Sequence, residues 1–596
     1  MKEGQEQNKQ TREQEELFEI EENKELSEIT EKIKQEKKII YYFELEEDKN
    51  EEKIIKKEIK KIAISIENKV YYLTPTEEFL KEIFENKEIE KYGHNLTQDY
   101  IILKQKGITM ENIKFDTMVA AYILNPTNNK YEMPMLLNEY LEIDENEYLE
   151  KNNVTQKKQE QINLFEQMEN TQEENKTENA EKYKVSLYAY GIRKLEEKLI
   201  QKLEEINAIK LFQEIDMPTV EVLSDMQWNG MYVDEKELEE YGTQIKEKIE
   251  ILTKEIYELC ETEFNINSTK QLGEILFEKL KLPVVKKNKS GYSTDVDYRQ
   301  LMKLNSTYVE GLKPYINPKT KRIHSFFHQT ITATGRISST EPNLQNIPTR
   351  MEIGKRVRKV FKPQENKIYL DADYSQIELR VLAHISEDEH MIQAFKHGED
   401  IHKQAASKVL GIPIEEVTKE QRSEAKAVNF GIVYGISDFG LGEQLGMSRK
   451  KAKVYIDQYL TQYSGIKKFM DSITEEAKQK GFVETLFNRR RYIPELSSNN
   501  YMVRQFGNRA AMNTPIQGTA ADIMKIAMIR VYRELKNRNL KSKIVLQVHD
   551  EVMIEAELAE LEEVREILQS CMESAIDLKV PLIAELSEAE NWYDCK

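Results

Sequence analysis

The chain has 596 residues, too many for one hydrophobic core, so three or four domains are expected. Its formal charge of -19 speaks against indiscriminate binding to polyanions, but a groove needs local rather than total positive charge, so a nucleic-acid partner stays open. The isolated Cys260, Cys571 and Cys595 exclude a disulfide framework and a cysteine-based zinc site, and no charge-free apolar run is long enough for a leader or a membrane span, which predicts a cytoplasmic chain.

In chain order, residues 1–36 offer hardly any apolar surface and read as a charged N-terminal tail or a solvent-bathed helix. Residues 38–43, 61–66 and 69–73, dense in Ile, Tyr and Val, predict strands of a first domain over 37–205. A stretch rich in Asn, Gln, Glu and Lys at 151–182 predicts a disordered insertion in that domain. Helical patterns at 221–227 and 235–261, followed by a Lys-rich connector at 286–290, predict a helical arm. From 325 onward apolar strands and helices alternate densely, and the segments that carry chemistry are concentrated there.

The first such segment, TGRISSTEPNLQNIP at 334–348, is crowded with turn residues and hydrogen-bonding groups. It suits a loop against a nucleic-acid backbone and minor groove, with Arg336 the candidate for a base edge. YLDADYSQIELR at 369–380 puts Asp373 at the end of an apolar strand. In RSEAKAVNFGIVYG at 422–435, Arg422, Lys426, Phe430 and Tyr434 recur every four residues and share one slowly drifting helix face. Two cations there can grip a polyphosphate while two rings lie by a sugar and a base. Lys426 is also placed to protonate a departing pyrophosphate. NRRR at 488–491 is a basic cluster that either tracks phosphates or is an ordinary solvated face. NTPIQ at 513–517 leads into a helix, with Gln517 either reaching a groove or capping. VLQVHDEVMI at 545–554 sets Asp550 and Glu551 at the turn of a short apolar hairpin.

Asp373 and Asp550 each follow an apolar strand, so neighbouring strands can bring them together. Two-metal phosphoryl transfer needs such acids, around ions about 3.5 to 4 Å apart. Hard oxygen ligands with no Cys or His cluster favour magnesium. An amphipathic helix and two strand-end acids would explain each segment alone; their combination describes a nucleotidyl transferase.

From about residue 210 to 596 the chain resembles the A family of DNA polymerases, of the bacterial large-fragment type, in motif A (DYSQIELR, 373–380), motif B (422–435) and motif C (QVHDE, 547–551). The resemblance implies an α/β multidomain (α+β) fold. An RNase H-like 3'-5' exonuclease-type domain would be followed by a right hand, with the thumb and the start of the palm at 206–325, palm with motif A at 326–400, fingers with motif B at 401–512 and palm with motif C at 513–596. It implies that Asp373, Asp550 and the Tyr374 carbonyl bind two Mg2+ ions, for which Mn2+ can substitute, with Lys426 and Glu551 completing the catalytic set. Arg422, Lys426, Phe430, Tyr434, Gln376 and His402 would surround the incoming nucleotide, Glu378 being the steric gate against a 2'-hydroxyl. Phe rather than Tyr at 430 implies discrimination against dideoxynucleotides. Arg336, Asn343, Gln345, Asn346, Arg509, Asn513 and Gln517 would contact the minor groove and primer terminus, and His549 would lie near the primer 3' end.

The departures from the family pattern are informative. The first domain should open with an Asp-x-Glu pair, but FELEE at 43–47 offers Glu44 and Glu46; Asp99 matches the second acidic position, and LYAYGIR at 187–193 lacks the third acid. No proofreading is therefore expected. No 5'-nuclease segment precedes these domains, so a separate nuclease is an expected partner, beside primer-template DNA and dNTPs, for a monomer with no membrane association. The passage from 291–294 to 298–301 is short, which predicts a shortened thumb and low processivity. The reading is a template-directed DNA polymerase of repair and primer replacement, against the alternatives of a 3'-5' exonuclease or a noncatalytic DNA-binding protein.

Overall fold

The computed structural model describes residues 17–22, 24–128, 130–152, 170–282, 287–288, 291–292, 297–348 and 352–595. The chain divides into two compact units, one of 1–49, 55–121 and 130–206, the other of 50–54, 122–129 and 207–596.

The first unit is built on a six-stranded mixed sheet of β1 (Glu19–Glu21), β2 (Lys38–Glu47), β3 (Lys57–Ile66), β4 (Lys69–Leu73), β5 (Glu90–Gly93) and β6 (Ile113–Asp116), in the order β1-β4-β3-β2-β5-β6. β2, β3 and β4 form an antiparallel meander, while β5 and β6 extend it in parallel. Consecutive residues Ile39, Ile40 and Tyr41, and Ile62, Ala63 and Ile64, are all buried, as central strands covered on both faces require.

Two expectations are corrected in this unit. Residues 17–36 are not a solvated tail: β1 pairs in parallel with β4, Phe18 stacks on Tyr190, and α1 (Leu26–Glu36) buries Ile29 and Ile33 completely. Ile29 and Ile33 lie one turn apart, so a single apolar stripe suffices to dock a helix whose other positions are charged. The segment 151–182 is not wholly an insertion without structure, because α2 (Asn170–Glu205) runs through its second part and packs on β2 and β3. A docked helix extends outward cheaply, one hydrogen bond per residue fixed. Residues 153–169 lie outside the described residues.

The second unit centres on a four-stranded antiparallel sheet. Its strands are β7 (Lys367–Tyr374), β10 (Lys543–Val548), β11 (Glu551–Glu557) and β12 (Ala584–Ala589), in the order β10-β11-β7-β12; a separate hairpin of β8 (Phe482–Glu484) and β9 (Arg490–Tyr492) lies between them in sequence. Tyr369, Leu370 and Ala372 are fully buried, and on β11 Ile554 lies opposite Leu370 and Val552 opposite Ala372. The unit's helices include α3 (Met217–Asn229), α4 (Glu235–Cys260), α5 (Ile377–Ser386), α6 (Ile401–Leu410), α7 (Lys419–Val433) and α8 (Tyr501–Asn537). Asp234 caps α4 by accepting from the Lys236 and Glu237 amides, and Leu238, Tyr241 and Ile245 bury one face of its base, whereas Ile251 and Leu259 are exposed farther along. In the predicted connector at 286–290, Lys287–Asn288 pairs antiparallel with Gly291–Tyr292. Its remainder and residues 293–296, on which the expectation of a short thumb rests, lie outside the described residues. NTPIQ at 513–517 does not begin a helix: it sits inside the 37 residues of α8, with Pro515 buried in the helix interior, so Gln517 is no cap. Packing of Ala511, Thr514, Ile516 and Gly518 outweighs the hydrogen bond that proline removes. Among the described residues no helix is long and apolar enough to cross a membrane.

Candidate active site

Strand register brings the predicted acids together. In the β7–β11 ladder Asp373 lies opposite Glu551, the residue after Asp550, and the Tyr374 amide donates to the Asp550 carbonyl at 3.0 Å. Asp373 and Asp550 are both partly exposed, and the Tyr374 hydroxyl donates to the Met572 carbonyl at 2.7 Å, which fixes the strand end. Arg380 locks the turn beyond: its Nε donates to the Ser375 carbonyl at 2.7 Å and its Nη1 to the Pro581 carbonyl at 2.6 Å, with the guanidinium 4.6 Å over the Phe395 ring. Gln376 takes a left-handed backbone conformation (φ 55) that starts α5, and its Oε1 is buried without a hydrogen-bond partner.

Glu378 in the first turn of α5 is buried and paired with the Arg336 guanidinium. Burial pushes the Tyr434 hydroxyl up to about 12, with Glu378 and Asp550 adding to the rise and Arg336 opposing it. Motifs A, B and C and the 334–348 loop therefore converge on one place. A cavity of about 20 Å³ between Arg336, Gln547, His549 and Asp550 marks it. Arg336, predicted to read a base edge, is engaged here with Glu378, so any ligand at this place must compete for it or use its remaining donors.

The motif B helix α7 starts at a capping box, in which the Thr418 hydroxyl accepts from the Gln421 amide while the Gln421 side chain returns to the Thr418 amide. Arg422 and Lys426 are exposed, Phe430 is half-buried and Tyr434 follows the helix. The Lys426 ammonium lies 6.0 Å from the centre of the Phe430 ring. Arg422 is not idle: its Nε donates to Asp400 at 2.6 Å, and Asp400 also caps α6 through the His402 and Lys403 amides. His402 is buried against Asn429 at 2.8 Å, and burial pushes its imidazole down to about 4, so it stays neutral. An open cleft of about 390 Å³ is lined by Phe430, Gly431, Tyr434, Ser437, Gln444 and Arg509. Gly435, at φ 64, faces Arg509 and Met512 so closely that a side chain there would strike both.

Other sequence-predicted residues serve the architecture of the turn. Gln345 donates to the Gln547 and Ile337 carbonyls, and Gln547 donates to the His549 carbonyl at 2.6 Å, so the 334–348 loop is tied to the motif C turn. The Asn343 side chain caps the short turn at Leu344–Asn346, and the Asn346 carbonyl accepts from Tyr308. His549 is exposed at φ 53. Asn513 and Gln517 are half-buried on α8, with Asn513 Oδ1 buried and lacking a partner. Glu551, the first residue of β11, is buried and accepts from the Trp592 indole at 3.2 Å. Sequence reasoning missed Asp400, Asn429, Gln547 and Trp592. Asn429 and Gln547 lie inside motifs B and C but were given no role, and Asp400 left the signal of an acid just ahead of an apolar-periodic run.

The NRRR cluster is corrected outright. Arg489 is buried between Asp216 and Asp522, Arg490 pairs with Glu484 at 2.6 Å and Arg491 donates to Thr514 at 3.1 Å. The donors at the junction of motifs A and C, two carboxylates and a carbonyl, fit a hard cation whose other ligands come from substrate and water. Among the described residues no group of three or more His, Cys, Asp and Glu side chains could hold a metal ion by itself.

In the first unit Glu44 is buried and engaged by Lys60 at 2.9 Å and by the Tyr72 hydroxyl, whereas Glu46 is exposed. Asp99 is buried, and burial pushes its carboxyl well above the usual range beside Tyr41 and Asp116. Tyr188 donates to Glu145.

Comparison with known proteins agrees with this geometry. Residues 235–594 match the model of DNA polymerase family A, and residues 43–149 match that of the DNA polymerase I ribonuclease H-like domain. The chain is 43% identical to DNA polymerase I of Bacillus subtilis (strain 168) over 541 residues, covering 87% of this chain and 59% of that protein. It is 45% identical to DNA polymerase I of Caldicellulosiruptor bescii over 498 residues, covering 81% of this chain and 55% of that protein. The chain thus spans between half and two thirds of the length of these relatives. The structure of the POL domain of Pol1 from M. smegmatis, in complex with DNA primer-template and dNTP, superposes with a TM-score of 0.84 at 32% identity, over 96% of this chain and 99% of that one.

Proposed function

Because the chain belongs to DNA polymerase family A, we propose that it is a template-directed DNA polymerase that adds dNTPs to a primer 3'-hydroxyl, in repair and primer replacement in the bacterial cytoplasm. The observation that carries this reading is the hydrogen bond from the Tyr374 amide to the Asp550 carbonyl, which ties the strand end just past Asp373 to the motif C turn beside Tyr434 and Glu378. Asp373, Asp550 and the Tyr374 carbonyl would hold two magnesium ions, replaceable by manganese. When bound, magnesium supplies Lewis acidity to the attacking hydroxyl and to the triphosphate.

The remaining work falls to the chain. The primer 3'-hydroxyl gives up its proton to water as its oxygen attacks the α-phosphorus, the new ester bond forms and the bond to pyrophosphate breaks. Arg422 and Lys426 neutralise the triphosphate, and Lys426 gives the leaving pyrophosphate its proton. Glu378, held in place by Arg336, closes the space that a 2'-hydroxyl would need; Phe430 lies under the sugar and Tyr434 beside the template base. Neutral His402 donates a hydrogen bond to phosphate rather than a charge. Arg509, Asn513 and Gln517 brace the minor groove, and His549 meets the primer end. Proofreading is absent in this reading, since Glu44 is neutralised by Lys60 and Asp99 is buried. The protein works as a monomer, and a separate nuclease removes primers and flaps.

The test is extension of a 5'-labelled primer on a longer template with magnesium, with and without the four dNTPs, beside Asp550→Asn. Extension that the variant loses, with no shortening when dNTPs are withheld, is expected. Shortening without extension would move the activity to the first unit and overturn the reading.

A further inference from the structure

Four ionisable side chains lie fully buried in the second unit, away from the motif acids. The Arg489 fork donates to both Asp216 oxygens at 2.8 Å each, and its Nε and Nη2 reach Asp522 Oδ1 at 2.8 and 2.6 Å. Lys525, one turn beyond Asp522 on α8, donates to Asp216 at 2.7 Å and to Gln329 at 3.4 Å. Thr485 donates to the second Asp522 oxygen at 2.9 Å, and Gln329 donates to the Asp216 carbonyl at 3.1 Å. Two cations meet two anions and the charges cancel. Burial alone would raise the Asp216 carboxyl, but Arg489 and Lys525 pull it down to about 2, so it is charged.

Such a network costs desolvation that an apolar core would not, so stability is a poor reason for it; fixing one geometry is a better one. What it fixes lies directly above. Gly335 rests on the Arg489 side chain: a Cβ there would come within 2.6 Å of Nε and 2.9 Å of Cδ. Gly335 also has φ +87, which an L side chain rarely adopts. From the other side, a Cβ on Gly518 would lie 3.1 Å from the Thr334 carbonyl. The Thr332 hydroxyl closes the loop by donating to the Arg336 carbonyl at 2.8 Å. The turn 332–336 is thus seated on a charged platform, and the next side chain in line is Arg336, paired with Glu378.

We propose that Arg489 is a positioning residue for the polymerase reaction: clamped by Asp216 and Asp522, it sets the height of the Gly335 turn and thereby aims Arg336 at Glu378 and the primer-template. The inference rests on the proposed polymerase function and adds a determinant that never touches substrate. Lysine at 489 keeps the charge but loses the planar fork. Alanine at 335 keeps all four charges but pushes the turn off the guanidinium.

The test is a double-mutant cycle of Arg489→Lys with Arg336→Ala, and of Gly335→Ala with Arg336→Ala, read as kcat/KM for single-nucleotide primer extension, with thermal unfolding of every variant alongside. Arg489→Lys and Gly335→Ala are each expected to lower kcat/KM by about tenfold or more in the native background and by less than about twofold when Arg336 is already alanine. Equal losses in both backgrounds would make the network a purely structural core and overturn the proposal. If Arg489→Lys does not fold, the Gly335→Ala cycle decides alone. Arg336→Ala without effect in a protein that extends primers would also overturn the proposal, whereas an unmodified protein that extends no primer would instead sink the polymerase reading beneath it.

Discussion

In the proposed function Arg422 stands at the point where an exposed ion pair and triphosphate binding compete. Its guanidinium, 44% exposed, is held by Asp400, 34% exposed, at 2.6 Å. A triphosphate that takes Arg422 must displace that carboxylate, and Asp400 simultaneously caps α6 through two amides. Asparagine at 400 keeps an oxygen for the cap and removes the competing charge. Exposed pairs of this kind are worth up to about 1 kcal/mol, so Asp400→Asn should lower the KM for dNTP by up to about fivefold with kcat nearly unchanged. The gain should fade as salt is raised, because the pair is screened. Steady-state single-nucleotide incorporation across a salt series checks it; an unchanged KM at low salt would mean that Arg422 does not receive the triphosphate. At this scale the motif acids and the cationic helix face were legible because their spacing is local. The role of Arg489 was not: NRRR reads as a phosphate-tracking cluster or a solvated face, and the partner of Arg489, Asp216, is 273 residues away.

The motif B helix depends on its first turn. Thr418 and Gln421 satisfy each other's amides, and the next residue is Arg422. Thr418→Ala removes one reciprocal bond and should cost about 1 kcal/mol of local helix stability. Amide exchange in the first turn, at Gln421 and Arg422, should quicken by about fivefold with the global unfolding midpoint almost unmoved. A lower global midpoint with no local quickening would show that the cap supports the whole fingers segment rather than one turn. That helix was readable because capping chemistry and the four-residue period coincide. Elsewhere a local signal pointed the wrong way. Pro515 marks a helix boundary in sequence but sits inside α8, whose buried small residues hold it there. In α1, charge hid a stripe of only Ile29 and Ile33. The strands β2, β3, β7 and β10 were legible because buried strands are apolar runs, whereas the pairing of β7 with β11, which makes the site, joins segments far apart in the chain.

The two units of the molecule differ in their response to acid. In the second unit burial pushes His324 and His402 down to about 4, and His328 and His384 are lowered by burial as well. An unfolded histidine takes its proton near pH 6.5 while these stay neutral, so the unfolded chain binds more protons and stability falls as pH drops below about 6.5. Asp522, raised by burial, opposes this with a single group. In the first unit His94 behaves like His402, but Asp99 and Asp116 are raised by burial. Their folded carboxyls are protonated at a pH where the unfolded chain is still ionised, so they gain stability on acidification and offset His94. The two tryptophans, Trp228 and Trp592, both belong to the second unit, so their fluorescence reports that unit alone. Between about pH 7 and about pH 5 the tryptophan unfolding midpoint should drop, with His324 and His402 each contributing about 1 to 2 kcal/mol, while amide protection in β2 and β3 holds. His402→Gln should remove its share of the slope and leave the midpoint near pH 5 closer to that near pH 7. A tryptophan midpoint indifferent to pH over this range would mean that these histidines are not held neutral in the folded chain, and Asn429 would then face an imidazolium rather than a neutral ring.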